Sequence, residues 1–220
     1  MEKASVKQFE SKPWPELADS DDSDLENDID VDKLAPLEIN PNENRLQHTY
    51  CLWFSRKGTH RAVDYSKSLH FVGRCATVQQ WWSLYSHLVR PTALPPFREL
   101  SLFKQGIKPM WEDPANTTGG QWVIRLRKNK IDRAWENVCM AMLGEQFLVG
   151  DEICGIVLTT KYPEDSLSVW NRTATDIAST TRIRDTLRRI LNLPLNTLME
   201  YKIHCDSLKY VAINKVPLKS

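Results

Sequence analysis

The most chemically suggestive run in the 220-residue chain is Lys108-Pro109-Met110-Trp111-Glu112-Asp113-Pro114. Two prolines and the following Thr117-Thr118-Gly119-Gly120 mark it as loop. A tryptophan beside a glutamate in a rigid loop suits recognition of a purine. The indole offers a stacking face worth about 1–3 kcal/mol per base. The carboxylate can accept two hydrogen bonds from the N1–H and N2–H2 edge of guanine. Methylation of that base at N7 makes it cationic, and stacking then gains a cation–π contribution of roughly 1–2 kcal/mol when desolvated. The plainer role of a loop tryptophan is a lid over the core.

Other chemistries find little support. No paired carboxylates in acid/base spacing occur beyond Glu112-Asp113, and there is no nucleophile motif, metal cluster or glycine-rich phosphate loop. The chain therefore reads as a binding protein and not an enzyme, with no cofactor. Five cysteines, Cys51, Cys75, Cys139, Cys154 and Cys205, lack metal spacing and have apolar neighbours. They read as small buried hydrophobes in a reducing compartment. No signal peptide or membrane-length apolar run is present, so a cytoplasmic monomer with no membrane partner is expected. Trp53, Trp122 and Trp135 sit on apolar stripes and are assigned to packing.

Charge is divided unevenly. Residues 1–40 hold four Lys/Arg and twelve Asp/Glu, a net of 4 − 12 = −8. Residues 41–220 hold the other 29 − 4 = 25 bases and 28 − 12 = 16 acids, a net of +9. A basic domain points to an anionic partner such as a nucleotide or nucleic acid. Residues 16–32 contain nine acids and no base, and cannot bury enough apolar surface to fold alone. The expected organisation is an acidic disordered tail over 1–40, one folded domain over 41–210, and a C-terminal tail over 211–220. The tail's alternative role is a strip that screens the basic domain.

A loop of this kind needs a scaffold. Apolar segments of strand length recur at Tyr50–Phe54, Leu69–Val72, Gln121–Arg127, Ile153–Lys161, Leu167–Trp170 and Leu198–His204. In Gln121–Arg127 the residues Trp122, Ile124 and Leu126 share one face, and Val123, Arg125 and Arg127 the other. Such a strand suits a sheet backed by helices and open to a charged ligand in front. Three helices are readable. One follows a Thr77/Gln80 capping box and ends near Arg90-Pro91. A second spans Asp132–Phe147 and a third Thr175–Leu191. The pattern predicts an α+β fold with an antiparallel sheet. On the first helix Trp81, Leu84, Tyr85 and Leu88 cluster on one side. Trp82 lies roughly 100° away, beside Val78.

From about Leu46 to Lys209 the chain resembles the cap-binding translation initiation factor 4E family. The resemblance rests on Ser101-Leu102-Phe103-Lys104-Gln105-Gly106-Ile107-Lys108-Pro109-Met110-Trp111-Glu112-Asp113, on Gly119-Gly120-Gln121-Trp122, and on Leu143-Gly144-Glu145-Gln146-Phe147. Thr77-Val78-Gln79-Gln80-Trp81-Trp82 and Ile153-Cys154-Gly155 match as well. The resemblance implies a curved eight-stranded antiparallel sheet, three helices on its convex back, and a slot on its concave face for the 7-methylguanosine cap of mRNA. Trp111 matches one stacking tryptophan and Glu112 the guanine-reading carboxylate. The second stacking position, normally tryptophan, is Tyr65, as is typical of the 4E homologous protein branch. Arg182–Arg189 and Ile124–Lys128 also look like that branch. Trp170 matches the tryptophan that contacts the N7 methyl, and Lys161 an arginine that grips the phosphates.

Departures from the family pattern carry weight too. Two phosphate-binding lysines are replaced by Pro163 and Ser166, and Gln121 stands where a base is common. Arg125 compensates in part, so weaker cap binding is expected. Trp82 matches an exposed tryptophan that receives a partner helix of YxxxxLΦ type, Φ being apolar, with Val78 flanking and Met140 on the same surface. Glu136 and Asn137 stand where the initiation factor presents Leu and Glu, which alters the surface for the scaffold protein 4G. The implied function is translational repression by occupying the cap without recruiting that scaffold. The alternative is an active initiation factor of weak cap affinity, against which Tyr65, Pro163, Ser166 and Glu136 count. A scaffold that has lost the cap is opposed by the retained Trp111, Glu112 and Tyr65.

Overall fold

Two-residue alternation sorts side chains onto the faces of a sheet. In β1 (Arg45–Arg56), Tyr50, Leu52 and Phe54 join the main core, while Cys51 and Trp53 join a separate cluster on the opposite face. In β3 (Arg98–Lys104), Leu100 and Leu102 alternate with Glu99, Ser101 and Phe103 in the same way. With β2 (Leu69–Thr77), β4 (Gly120–Arg127), β5 (Ile153–Thr159), β6 (Glu164–Asn171) and β7 (Met199–Ile203), these strands form one antiparallel sheet in the order β2-β1-β3-β5-β6-β4-β7. The computed structural model describes residues 31–56 and 65–206.

Three α-helices among the described residues cover one face: α1 (Val78–Tyr85), α2 (Lys128–Leu143) and α3 (Ile177–Ile190). Trp81, Trp135, Val138, Ile183 and Leu187 seal the core against Leu52, Leu102, Ile156 and Val169 of the sheet. None of these helices is long and apolar enough to cross a membrane. The capping box at α1 forms in part. Thr77 accepts the Gln80 N–H at 3.1 Å, but the Gln80 side chain takes the Ala76 N–H at 2.9 Å instead of closing on Thr77. At α3, Asp176 caps by accepting the Ser179 N–H at 3.1 Å.

The α+β architecture is as expected, with differences in detail. The sheet has seven strands among the described residues rather than eight. Beyond β7 the His204 N–H donates to the Gly119 carbonyl at 3.0 Å, at the end of the β4–β7 pairing. Helix α1 ends at Tyr85, earlier than Arg90, because the His87 and Leu88 N–H groups donate only three residues back, to the Leu84 and Tyr85 carbonyls, in tight turns. Helix α2 starts at Lys128, directly after the strand, and stops at Gly144, which donates to the Met140 carbonyl at 2.9 Å. Of the expected tail, residues 31–40 lie against the domain. Val31 is buried in the cluster with Trp53 and Leu69, and Gln80 donates to the Glu38 carbonyl at 2.9 Å. Residues 1–30 and 211–220 lie outside the described residues.

Candidate nucleotide-binding site

Directly opposed residues of an antiparallel pair share a face, so strand register gives the lining of the open face. One row runs Phe103, Gly155, Trp170, Gln121 and Lys202. The next runs Trp53, Ser101, Val157, Ser168 and Val123. The third runs Ser55, Glu99, Thr159, Ser166 and Arg125. The face thus grades from an aromatic end, over a floor of mostly small side chains, to a polar end with a cation.

At the aromatic end Phe103 meets Trp170 edge-on, with centroids 5.4 Å apart. Glycine is required at 155 because a Cβ there would lie 2.3 Å from the Phe103 ring. The Trp170 indole N–H donates to the Ser168 hydroxyl at 3.2 Å, and its ring also meets His204 at 4.3 Å. Half-buried Trp111 packs on this cluster with Ala115. The loop that carries it is built by two polar side chains. Asp113 accepts the N–H groups of Lys108 and Ala115, each at 2.9 Å. Buried Asn116 donates its amide to the carbonyls of Lys108 and Met110 at 2.9 and 2.8 Å. The main-chain carbonyl of Asn116 in turn accepts His204 Nδ1–H at 2.9 Å, and burial holds the His204 pKa below its ordinary value. Asp113 therefore has both oxygens committed to the loop. Its neighbour Glu112 is exposed, with no hydrogen-bond partner among the described residues, and its carboxylate is open to a ligand.

At the polar end Glu99, only 4% exposed, gathers three hydroxyls: Thr159 at 2.7 Å, Tyr65 at 3.0 Å and Ser55 at 3.4 Å. Tyr65 opens a short 3-10 turn before β2, and its half-buried ring is thereby fixed over this row. Burial, then the Glu99 charge, pushes the Tyr65 hydroxyl far above the ordinary phenol range, so it stays a donor. Glu112 contributes to the same upward shift, which puts the carboxylate of one loop within electrostatic reach of the tyrosine of another. Lys161 is exposed in the β5–β6 turn, its main-chain N–H donating to Asp165 at 2.8 Å. Exposed Arg125 stands opposite Ser166. Among the described residues no group of three His, Cys, Asp or Glu is arranged to hold a metal.

On the helix-covered side, Trp82 is 43% and Val78 37% exposed, while their neighbours Trp81 and Tyr85 are buried. Glu136 accepts the Tyr85 hydroxyl at 3.3 Å and pairs with Arg90 at 3.3 Å and Arg133 at 3.0 Å, which ties it to the α1–α2 junction. Half-buried Met140 packs on the core. Asn137 is not part of that junction; it lines a groove between α2 and residues 191–197. Three of the four arginines of α3 are engaged within the fold: Arg182 donates to the Leu148 carbonyl at 3.1 Å, Arg184 pairs with Asp185 at 2.8 Å, and Arg188 donates to the Pro194 carbonyl, while Arg189 is exposed. Glu99, Asn116 and His204, which position the ring and the loop, were not singled out in the sequence. Glu99 alone left a signal, its alternation with Leu100 and Ser101.

Residues 45–216 match the family model described as eukaryotic initiation factor 4E. Eukaryotic translation initiation factor 4E-4 of Caenorhabditis elegans is 45% identical over 175 residues, covering 80% of this chain and 82% of that protein. The complex of C. elegans eIF4E-3 with the 4E-binding protein Mextli and cap analog superposes with a TM-score of 0.72 at 35% identity, covering 76% of this chain and 96% of that one. The complex of Ascaris suum eIF4E-3 with m7G cap gives a TM-score of 0.69 at 34% identity, covering 74% and 92%.

Proposed function

The chain belongs to the eukaryotic initiation factor 4E family, and from that premise we propose that it binds the 7-methylguanosine cap of mRNA and represses translation. The observation that carries cap binding is the convergence on one open face of Trp111, Glu112 and Tyr65 beside Trp170. Trp111 and Tyr65 sandwich the methylated base, Glu112 reads its N1–H and N2–H2 edge, and Trp170 meets the methyl. The solved relatives carry a cap analog or the m7G cap. A triphosphate running from the sandwich toward the polar row meets Lys161 and Arg125. It also meets Pro163 and Ser166, which hold no charge. Each missing charge-assisted contact is worth about 1.5–3 kcal/mol, so the phosphates are gripped loosely.

Repression follows from what stands on the other side of the sheet. An exposed tryptophan flanked by a valine is an anchor for an apolar helix of YxxxxLΦ type, and a relative is solved with a 4E-binding protein. Glu136, held by Tyr85, Arg90 and Arg133, presents charge beside that anchor and disfavours the scaffold 4G. The chain thus occupies the cap without loading ribosomes.

The test is retention on cap resin and on immobilised partner peptide. Trp111→Ala or Glu112→Ala is expected to abolish cap retention with the fold intact; wild-type retention in both sinks the site assignment. Trp82→Ala should remove about 2–4 kcal/mol from binding of a YxxxxLΦ peptide while sparing cap retention. Stable capture of 4G by the wild-type chain would overturn the repressor reading in favour of an active initiation factor.

A further inference from the structure

The cap-site reading leaves a strongly basic feature unused. Pairing of β4 with β7 stops at Ile124↔Met199, so residues 125–127 have no strand on that side among the described residues. A groove of about 600 Å³ fills the gap, bounded by this bare edge, the first turns of α2 and residues 191–197. Arg125, Arg127, Lys130 and Arg133 line it against a single acid, Glu164. Glu164 lies opposite Arg127 across the strands but makes no ion pair with it. Lys128 beside them is neutralised by buried Asp165, and Arg133 pairs with Glu136. Arg125, Arg127 and Lys130 are all exposed and form no ion pair among the described residues. The first turn of α2 contributes no acid either.

Like charges gathered in one groove repel unless a polyanion lies between them. The groove is continuous with the polar end of the open face, because Arg125 belongs to both and stands opposite Ser166. We propose that this groove holds the sugar–phosphate backbone of the RNA that follows the cap, so that the chain grips a capped strand and not the cap alone. The inference rests on the cap-binding reading for its direction: the triphosphate delivers the strand past Lys161 and Arg125 to Arg127, Lys130 and Arg133. Phosphate contacts of this kind are indifferent to base sequence and fix the course of the strand. The groove restores at the RNA body part of the affinity forgone at Pro163 and Ser166.

The experiment compares a cap dinucleotide, a capped decaribonucleotide and its uncapped form with the full chain at several salt concentrations. Log affinity falls with log salt by about 0.7 per phosphate contact on a single strand. The two groove cations beyond Arg125 that form no ion pair among the described residues, Arg127 and Lys130, therefore predict a slope steeper by about 1.4 for the capped decamer than for the dinucleotide. The affinity gain contributed by Arg127 and Lys130 alone should shrink about sevenfold between about 50 and 200 mM salt. Arg127→Ala/Lys130→Ala should remove that gain and leave dinucleotide binding unchanged. Arg127→Gln/Lys130→Gln, which keeps more of the aliphatic stems, should do the same. A capped decamer that binds no tighter than the dinucleotide, or a gain that survives both double variants, overturns the proposal. So does a deca-glutamate peptide that competes as well as the uncapped RNA, since the groove would then be a peptide site. Failure of the dinucleotide itself to bind would sink the cap reading instead. The uncapped decamer, sensitive or insensitive to Arg127→Ala/Lys130→Ala, would still decide for or against the groove.

Discussion

The Tyr65 hydroxyl is anchored on Glu99, and that anchor can be separated from the stacking face. The hydroxyl donates to Glu99 Oε2 at 3.0 Å, and Glu99 is 4% exposed. A hydrogen bond to a charged group contributes about 1.5–3 kcal/mol net; the half-buried position of Tyr65 puts it near the lower figure. Tyr65→Phe should therefore lower stability by about 1.5 kcal/mol. At 2–4 °C per kcal/mol for a chain of this size, Tm should fall by roughly 3–6 °C. The phenyl face remains, so affinity for a methylated guanosine triphosphate, read by quenching of tryptophan fluorescence, should fall less than tenfold. Tyr65→Ala removes the face itself, about 1–3 kcal/mol of stacking, or about five- to 150-fold in affinity. Tyr65→Trp offers a larger cation–π surface and should bind as well as wild type or better. Normal cap affinity in Tyr65→Ala would refute the sandwich. An unchanged Tm in Tyr65→Phe would refute the Glu99 anchor and leave the ring's position without a cause.

Restoring lysine at Ser166 and Pro163 should raise affinity for the triphosphate cap and steepen its decline with salt; no gain in binding titrations would mean these positions do not reach the phosphates. His204 supplies a pH dependence. Its folded pKa lies below the ordinary value of about 6.5, so below that pH the unfolded chain takes up a proton that the folded chain refuses. Stability should therefore be full above about pH 6.5 and fall as the pH drops below it. In His204→Gln that part of the decline in Tm should vanish; an identical profile in the variant would show that His204 does not carry it.

Local signals explain what the sequence disclosed. The alternation in Gln121–Arg127, the cap at Thr77 and the proline-bounded loop at Trp111 depend on neighbours a few residues apart, and each emerges in the structure close to its expected place. Helix ends moved because they are decided by contacts that spacing does not encode, such as the Gly144 N–H on the Met140 carbonyl. Strand β3 is absent from the expected strands, and its apolar run is interrupted by Glu99 and Ser101. Glu99 is buried because Ser55, Thr159 and Tyr65, each at least 34 residues away, bring hydroxyls to it. The same distance rule hid Asn116 and His204, which meet across 88 residues.

These long-range contacts are also what make the Trp111-Glu112-Asp113 string usable. Two adjacent carboxylates look equivalent in the sequence, and either could face a ligand. Asp113 is withdrawn from that role by the N–H groups of Lys108 and Ala115. Asn116 pins the Lys108 and Met110 carbonyls, and His204 pins Asn116. With the loop closed on itself, Glu112 is the carboxylate left exposed, and Trp111 packs on the cluster that holds Phe103 and Trp170. On the proposed cap-binding reading, specificity for a guanine edge would depend on residues that need never touch the base, because a carboxylate on a slack loop would lose in ordering entropy what it gained in hydrogen bonds.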